Sequence, residues 1–332
     1  MVKLAFKSER EEEKAVKTSL FVIGIMLVFV SVVSATPIPQ FLLMWGGHGY
    51  GPGQFTVSGQ ISVDKDGKVY VTDLDNHRVQ VFTSEGIFVA EFGRKGNQNG
   101  EFSLPWGVAV DQDGFIYVTD GYPNARVQKF SPQYQFVKNW GSYGRGDGQF
   151  KTIGGIAVDN DGYVYVADAQ NARIQKFDTN GNFVLAWSCE SPVCVALDKS
   201  GDVYVSSYDT VSKFTSEGAY LTRFGGLGRN DGQFFGGAYG MAIDESTGDI
   251  FVTDAFNNRV QVFKKDGTFS WKWEASESSP FDNPWSIVFD SFGNIYVTEF
   301  KNRQVLKFSY SSGTSIVPIG NTTWGAIKVL FR

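Results

Sequence analysis

The sequence predicts an all-β fold, a six-bladed β-propeller of four-stranded antiparallel blades, and three observations lead there. First, a strand ending in an acid recurs. Val-Tyr-Val-Thr-Asp ends at Asp73, Ile-Tyr-Val-Thr-Asp at Asp120, Val-Tyr-Val-Ala-Asp at Asp168, Ile-Phe-Val-Thr-Asp at Asp254 and Ile-Tyr-Val-Thr-Glu at Glu299. Second, the spacings are 47, 48, 86 and 45 residues, and Val203-Tyr204-Val205-Ser206 fills the long gap, which makes six copies. Third, each copy holds four short runs of strand character separated by turns. Four strands repeating about every 40–50 residues are what a propeller blade requires.

The unit is clearest from Gly155 to Trp187. Ile156 to Asp159 is apolar, and Asn160-Asp161-Gly162 turns the chain into Val164 to Ala167. A polar loop at Ala169 to Asn171 leads to the alternating strand Arg173 to Phe177. Asn180-Gly181 then turns into Phe183 to Trp187. Asp-Gly and Asn-Gly between alternating runs are strong hairpin signals. The 332 residues would allow two domains on length alone, but six blades close as one body. With 29 Phe, 14 Tyr and 8 Trp, the chain can fill the layers between blades.

Residues 1–35 read differently. Lys3, Lys7, Arg10, Lys14 and Lys17 precede Leu20 to Val33, which is apolar and carries no charge, and Val33-Ser34-Ala35 offers small residues for cleavage. This describes a signal peptide, or an N-terminal hydrophobic helix kept as a membrane anchor. Either implies an extracellular or cell-surface protein. Without it the chain has 25 Lys and Arg against 31 Asp and Glu, a net charge of −6, a poor surface for nucleic acid.

From residue 36 onward the chain is expected to form the propeller. Phe41 to Trp45 matches the last strand of a repeat yet precedes the first full unit, so it is expected to close blade six as its outer strand. Gly46 to Phe55 is a loop between blades, echoed at Gly93 to Phe102, Gly141 to Phe150 and Gly225 to Phe234. No helical pattern follows these glycines, so they read as turns pinned by a buried Phe rather than a phosphate cradle. The inner strands end at Asp64, Asp111, Asp159, Asp198, Asp244 and Asp290, placed to cap the turns that follow. The third strands carry Asn76-x-Arg78, Asn124-x-Arg126, Asn171-x-Arg173, Asn258-Arg259 and Asn302-Arg303. Each Arg is expected to pair with the acid ending the strand before it; repetition in five blades points to architecture.

Blade four departs, with Ser206 to Asp209 lacking both the acid and the Asn-x-Arg. Its preceding loop shrinks to Ser188 to Cys194, and Cys189 and Cys194 are the only cysteines. In an exported chain they are either a disulfide or two buried thiols. After Phe308 the pattern loosens. Thr314 to Ile319 is an alternative outer strand, Asn321-Thr322-Thr323 is a sequon, and Trp324 to Phe331 resembles the start of another unit.

The stretch Asn76-His77-Arg78-Val79-Gln80-Val81-Phe82 resembles the NHL-repeat family, and the resemblance runs from about Phe41 to Phe308. It implies the propeller fold and is weak for function. Relatives include an exported amidating lyase whose zinc is held by several histidines, and protein- or RNA-binding modules. The related six-bladed lactonases and esterases hold a calcium in the channel. This chain has only His48 and His77, too few for such a zinc site.

A binding face is better motivated. The positions at which the six blades begin are Gly59, Trp106, Gly154, Val193, Tyr239 and Trp285. Three are large aromatics where glycine also serves. Other loops on that face add His77, Tyr122, Tyr208, Phe256 and Phe300. The leading expectation is an exported or membrane-tethered module that binds a protein, glycan or small-molecule ligand through this face, without a cofactor. The alternative is a calcium- or zinc-dependent lyase or hydrolase with its ion in the channel.

Overall fold

The structure, a computed structural model, describes residues 38–274 and 281–310. The N-terminal segment to Ala35, the candidate strand Thr314 to Ile319, the Asn321 sequon and the stretch from Trp324 lie outside the described residues. Among those described, no helix is long and apolar enough to cross a membrane.

Six antiparallel sheets of four strands follow one another along the chain. Blade one is Ser58–Val63, Val69–Asp73, Arg78–Phe82 and Phe88–Phe92. The inner strands of blades two to six are Pro105–Val110, Ile153–Val158, Cys194–Leu197, Met241–Ile243 and Pro284–Phe289. Blade six takes its outer strand from the other end of the chain. Gln40–Gly46 runs antiparallel to Gln304–Ser309, with Met44 opposite Leu306 and Trp45 opposite Val305.

The second and third strands are buried almost throughout, and the core lies between blades. Across the ring closure, Phe55, Val69, Val71 and Phe82 pack with Tyr296 and Val305. Fully burying each such side chain is worth ~1.5–3 kcal/mol. The aspartates ending the inner strands do two jobs. Asp64 Oδ1 accepts the Lys68 N–H at 2.9 Å to hold the turn, while its Oδ2 accepts the hydroxyl of the buried Tyr70 at 2.9 Å. The same tyrosine bond recurs at Asp111, Asp159, Asp198 and Asp290. Blade five has Phe251 at the tyrosine position, and Asp244 accepts instead from Ser246 and Thr247.

The glycine-rich loops are held from the third strand of the following blade. In blade one, Arg78 Nε donates to Asp73 at 3.0 Å, and its Nη2 donates to the carbonyls of Gly51 and Gln54. Gln80 accepts the Gly53 N–H and donates to Gln54 O, while Phe55 behind the loop is fully buried. Gly53 has φ +78°, a conformation open to glycine at no steric cost. Blades two, three and five repeat the scheme through Asp120–Arg126, Asp168–Arg173 and Asp254–Arg259. In blade five the asparagine that joins in is Asn257, not Asn258.

Blade six corrects the expected pairing. Arg303 has φ +56° and donates to the Thr56 carbonyl, and Gln304 takes the place of the arginine, donating to Glu299 at 2.9 Å. Glu299 is fully buried and ion-paired with no cation among the described residues, and burial raises its pKa above the ordinary 4.5. A raised carboxyl stabilises the fold below its unfolded pKa, and that stability is lost as pH rises through the folded value. Gln304→Arg is therefore expected to add about 1 kcal/mol at pH 7 and nothing near pH 4, read by urea denaturation at the two pH values.

The disulfide between Cys189 and Cys194 is not formed; both thiols are free and buried. Cys189 packs with Tyr165, Ile174 and Phe214 on one side of blade four, whereas Cys194 packs with Phe234 and Met241 on the other. Burial pushes both thiols up to about 12. A thiol-reactive dye is expected to label neither cysteine in the native protein and both after denaturation, with the melting temperature unchanged by reductant.

Candidate ligand-binding site

The mouth of the propeller is set by two devices that the strand motif encodes. The threonine before the terminal acid of a second strand reaches across to the next blade. Thr72 Oγ1 donates to Trp106 O at 2.9 Å, Thr253 Oγ1 to Trp285 O at 3.0 Å, Thr119 Oγ1 to Gly154 O and Thr298 Oγ1 to Gly59 O. The register of the inner strands also shifts where they begin, between Ser58 and Ile61, Pro105 and Val108, and Pro284 and Ser286. Such bulges re-aim side chains. The first device fixes the backbone of Trp106 and Trp285, and the second turns their indoles out of the sheet pattern.

Five of the eight candidate residues form one aromatic cluster. Tyr239 stacks on Trp285 with centroids 3.8 Å apart and planes 15° apart, and Trp285 stacks on Phe300 at 4.9 Å and 28°. Trp285 is thus in contact with a ring from the preceding blade and one from its own. Trp106 meets Trp285 edge to face at 6.1 Å, and Tyr208 meets Tyr239 in the same way at 6.4 Å. Trp106 belongs to blade two and Trp285 to blade six, so the indoles meet across blade one, which begins with Gly59. A Cβ there would come within 2.4 Å of Thr72 Oγ1 and Leu74 Cδ1, so glycine is required at this position rather than interchangeable with an aromatic. Tyr208 and Phe300 are exposed, while Trp106, Tyr239 and Trp285 are half-buried. Burial, with Tyr208 nearby, holds the Tyr239 hydroxyl above its usual pKa of 10.0, so it stays a neutral donor.

The other three candidates have different surroundings. Tyr122 pairs edge to face with Tyr143 at 5.7 Å. Phe256 is exposed and covers Gly236, where a Cβ would lie 2.7 Å from its ring. His77 Nδ1 is hydrogen-bonded to the Ser103 carbonyl, tying blade one to the loop entering blade two, so the ring serves a junction. His48 lies in a loop bridge with Phe55. Among the described residues no three His, Cys, Asp or Glu side chains converge as metal ligands. The described residues therefore bring together neither the histidines of a zinc site nor three acids of a calcium cage.

Sequence reasoning placed these aromatics on one face but missed their stacking order and the threonines that fix them. The signal for them is the threonine before the terminal acid in four of the second strands, Thr72, Thr119, Thr253 and Thr298.

Comparison with known proteins agrees with the architecture. The model of the NHL repeat matches residues 60–82, 102–130, 150–177 and 235–263. A search of curated proteins found no match. Similar solved structures include a gluconolactonase from Xanthomonas campestris, 15% identical with a TM-score of 0.61, covering 83% of this chain and 98% of that one. A streptogramin B lyase is 13% identical with a TM-score of 0.59, covering 82% and 98%. A virginiamycin B lyase from Staphylococcus aureus is 14% identical with a TM-score of 0.56, covering 75% and 79%. At these identities the likeness is one of fold. With four matched repeats and six blades of the expected build, the chain is an NHL-repeat β-propeller.

Proposed function

We propose that the protein is a recognition module that holds a ring-bearing group of its ligand, on a protein, a glycan or a small molecule, against the aromatic cluster at its mouth. The observation that carries this is the contact of Trp106, Tyr208, Tyr239, Trp285 and Phe300 across four blades. Clustered, partly exposed aromatics contribute affinity through apolar burial and ring contacts worth ~0.5–1.5 kcal/mol per pair. The architecture does not demand them, because blades three and four begin with Gly154 and Val193. The residues at the mouth supply binding and orientation, and no covalent step is assigned to them.

The charged and apolar run in residues 1–35 supports export, with the propeller displayed outside the cell or held at the membrane. Fractionation with N-terminal sequencing tests this: a mature chain beginning near Thr36 supports cleavage, full-length protein in the membrane fraction supports tethering, and a full-length cytosolic protein overturns export. For recognition, the full chain is presented to arrays of glycans and peptides and to a fragment set. Binding lost in Trp106→Ala and Phe300→Ala at unchanged melting temperature supports the reading. Hits indifferent to both substitutions would place recognition on another surface.

A further inference from the structure

We infer that the mouth takes an uncharged flat ring carrying an N–H or O–H donor, and that Gln60 supplies the acceptor for it. This deepens the recognition reading and rests on it. Gln60 is the second residue of the blade-one bulge. The same position elsewhere holds Gly107, Gly155, Cys194, Gly240 or Ser286, so only blade one places a long polar side chain there. The hydroxyl of Thr72 bonds both the Gln60 carbonyl, at 3.3 Å, and the Trp106 carbonyl, at 2.9 Å, which sets Gln60 beside Trp106. Its amide oxygen lies 2.7 Å from where a Cβ on Gly107 would stand, so glycine in the next blade makes the room for it.

That oxygen is buried and has no hydrogen-bond partner among the described residues. An orphaned buried acceptor is costly to leave unmade; Gln60 as a whole is only half-buried, and a ligand donor that meets its amide recovers the loss. The cluster beside it fixes the rest of the ligand's chemistry. A cage for a cation turns several ring faces toward one point. Here Tyr239, Trp285 and Phe300 are stacked as near-parallel slabs, so Trp285 lies against its two neighbours and the three faces do not converge on one point. The edges that remain carry the positive side of the ring quadrupole and suit the face of a neutral ring.

The test uses the full chain and two probes, 5-fluoroindole and 5-fluoro-1-methylindole, followed by fluorine NMR. The expected result is that the methylated probe, which lacks the donor, binds at least ~5-fold more weakly, the low end of the value of a hydrogen bond to a buried acceptor. Gln60→Leu is expected to bring the two probes within about twofold of each other, while Phe300→Ala weakens both. Equal affinities for native protein, or a preference that survives Gln60→Leu, overturn the Gln60 assignment and leave the stacking reading standing. Failure of both probes to bind up to their solubility overturns this inference and counts against the stacking reading as well. A thermal melt of Gln60→Leu separates a lost site from a lost fold.

Discussion

Replacing Arg259 by Ala is expected to destabilise the protein by about 3–5 kcal/mol, the cost of removing one partner from a buried ion pair. Arg259 is among the most buried charges of the chain, and Asp254 beside it is fully buried. One guanidinium bonds Asp254 at 2.8 Å and the carbonyls of Asn230 and Gln233 at 2.8 and 2.9 Å, so its loss strands a carboxylate and frees a loop together. Burial already holds Asp254 above its ordinary pKa of 3.8 despite the arginine. Removing the cation raises it further. The deficit is therefore expected to be largest at neutral pH and to shrink as pH falls through the raised pKa of the carboxyl. Denaturant melts of Arg259→Ala at pH 7 and pH 4 check this. A loss below about 1 kcal/mol at pH 7 would show that the pair does not hold the loop. The companion change Asp254→Asn in the same background is expected to recover part of the loss, since blade six already closes on Glu299 and Gln304 without a cation.

The second large effect is expected at Trp285. Trp→Ala in a core costs ~3–5 kcal/mol; for a half-buried indole about 2–3 kcal/mol is expected. The effect on recognition is expected to be larger than for any other mouth residue. Trp285 contacts Tyr239 at 3.8 Å, Phe300 at 4.9 Å and Trp106 at 6.1 Å, so without it the remaining rings lose their common neighbour. Binding of ring-bearing ligands should fall below detection in Trp285→Ala. Trp285→Phe, which keeps a flat ring between Tyr239 and Phe300, should restore most of it. Titrations of both variants, with melting temperatures measured alongside, distinguish loss of the platform from general unfolding. Retained affinity in Trp285→Ala would remove the stack from recognition.

What the sequence made legible was whatever repeats. The apolar second strands ending at Asp73, Asp120, Asp168, Asp254 and Glu299, the glycine loops before Phe55, Phe102, Phe150 and Phe234, and the run from Phe41 to Trp45 each have a local pattern whose physics does not depend on distant residues. The pairing in blade six was not legible, because Arg303 and Gln304 are adjacent and only the backbone decides which faces Glu299. With Arg303 at φ +56° the strand begins one residue later, and glutamine takes the inward position. The contact made by His77 was illegible for a related reason. His77 occupies the same left-handed position as Arg303, and its ring turns to the Ser103 carbonyl rather than to solvent. The aromatic site was legible as a set of residues on one face, not as a stack. Which ring lies on which depends on how four blades curve around a common axis, and no local pattern records that curvature.

The strand Gln40–Gly46 has a consequence for how the molecule comes into being. Its partner, Gln304–Ser309, is made roughly 260 residues later, and at ribosomal speeds of about 5–20 residues per second the two are separated by on the order of 10–50 s. Throughout that interval the first strand has its contact with blade one, through Trp45 and Phe82, but no strand to pair with, and the blades made so far form an open arc. The ring closes only once Gln304–Ser309 has been made. Phe41, whose ring partner is Phe308, spends the wait as uncovered apolar surface beside an unpaired strand edge, which makes this interval, rather than any property of the finished ring, the period when the nascent chain is most open to chaperones and to mispairing with its neighbours.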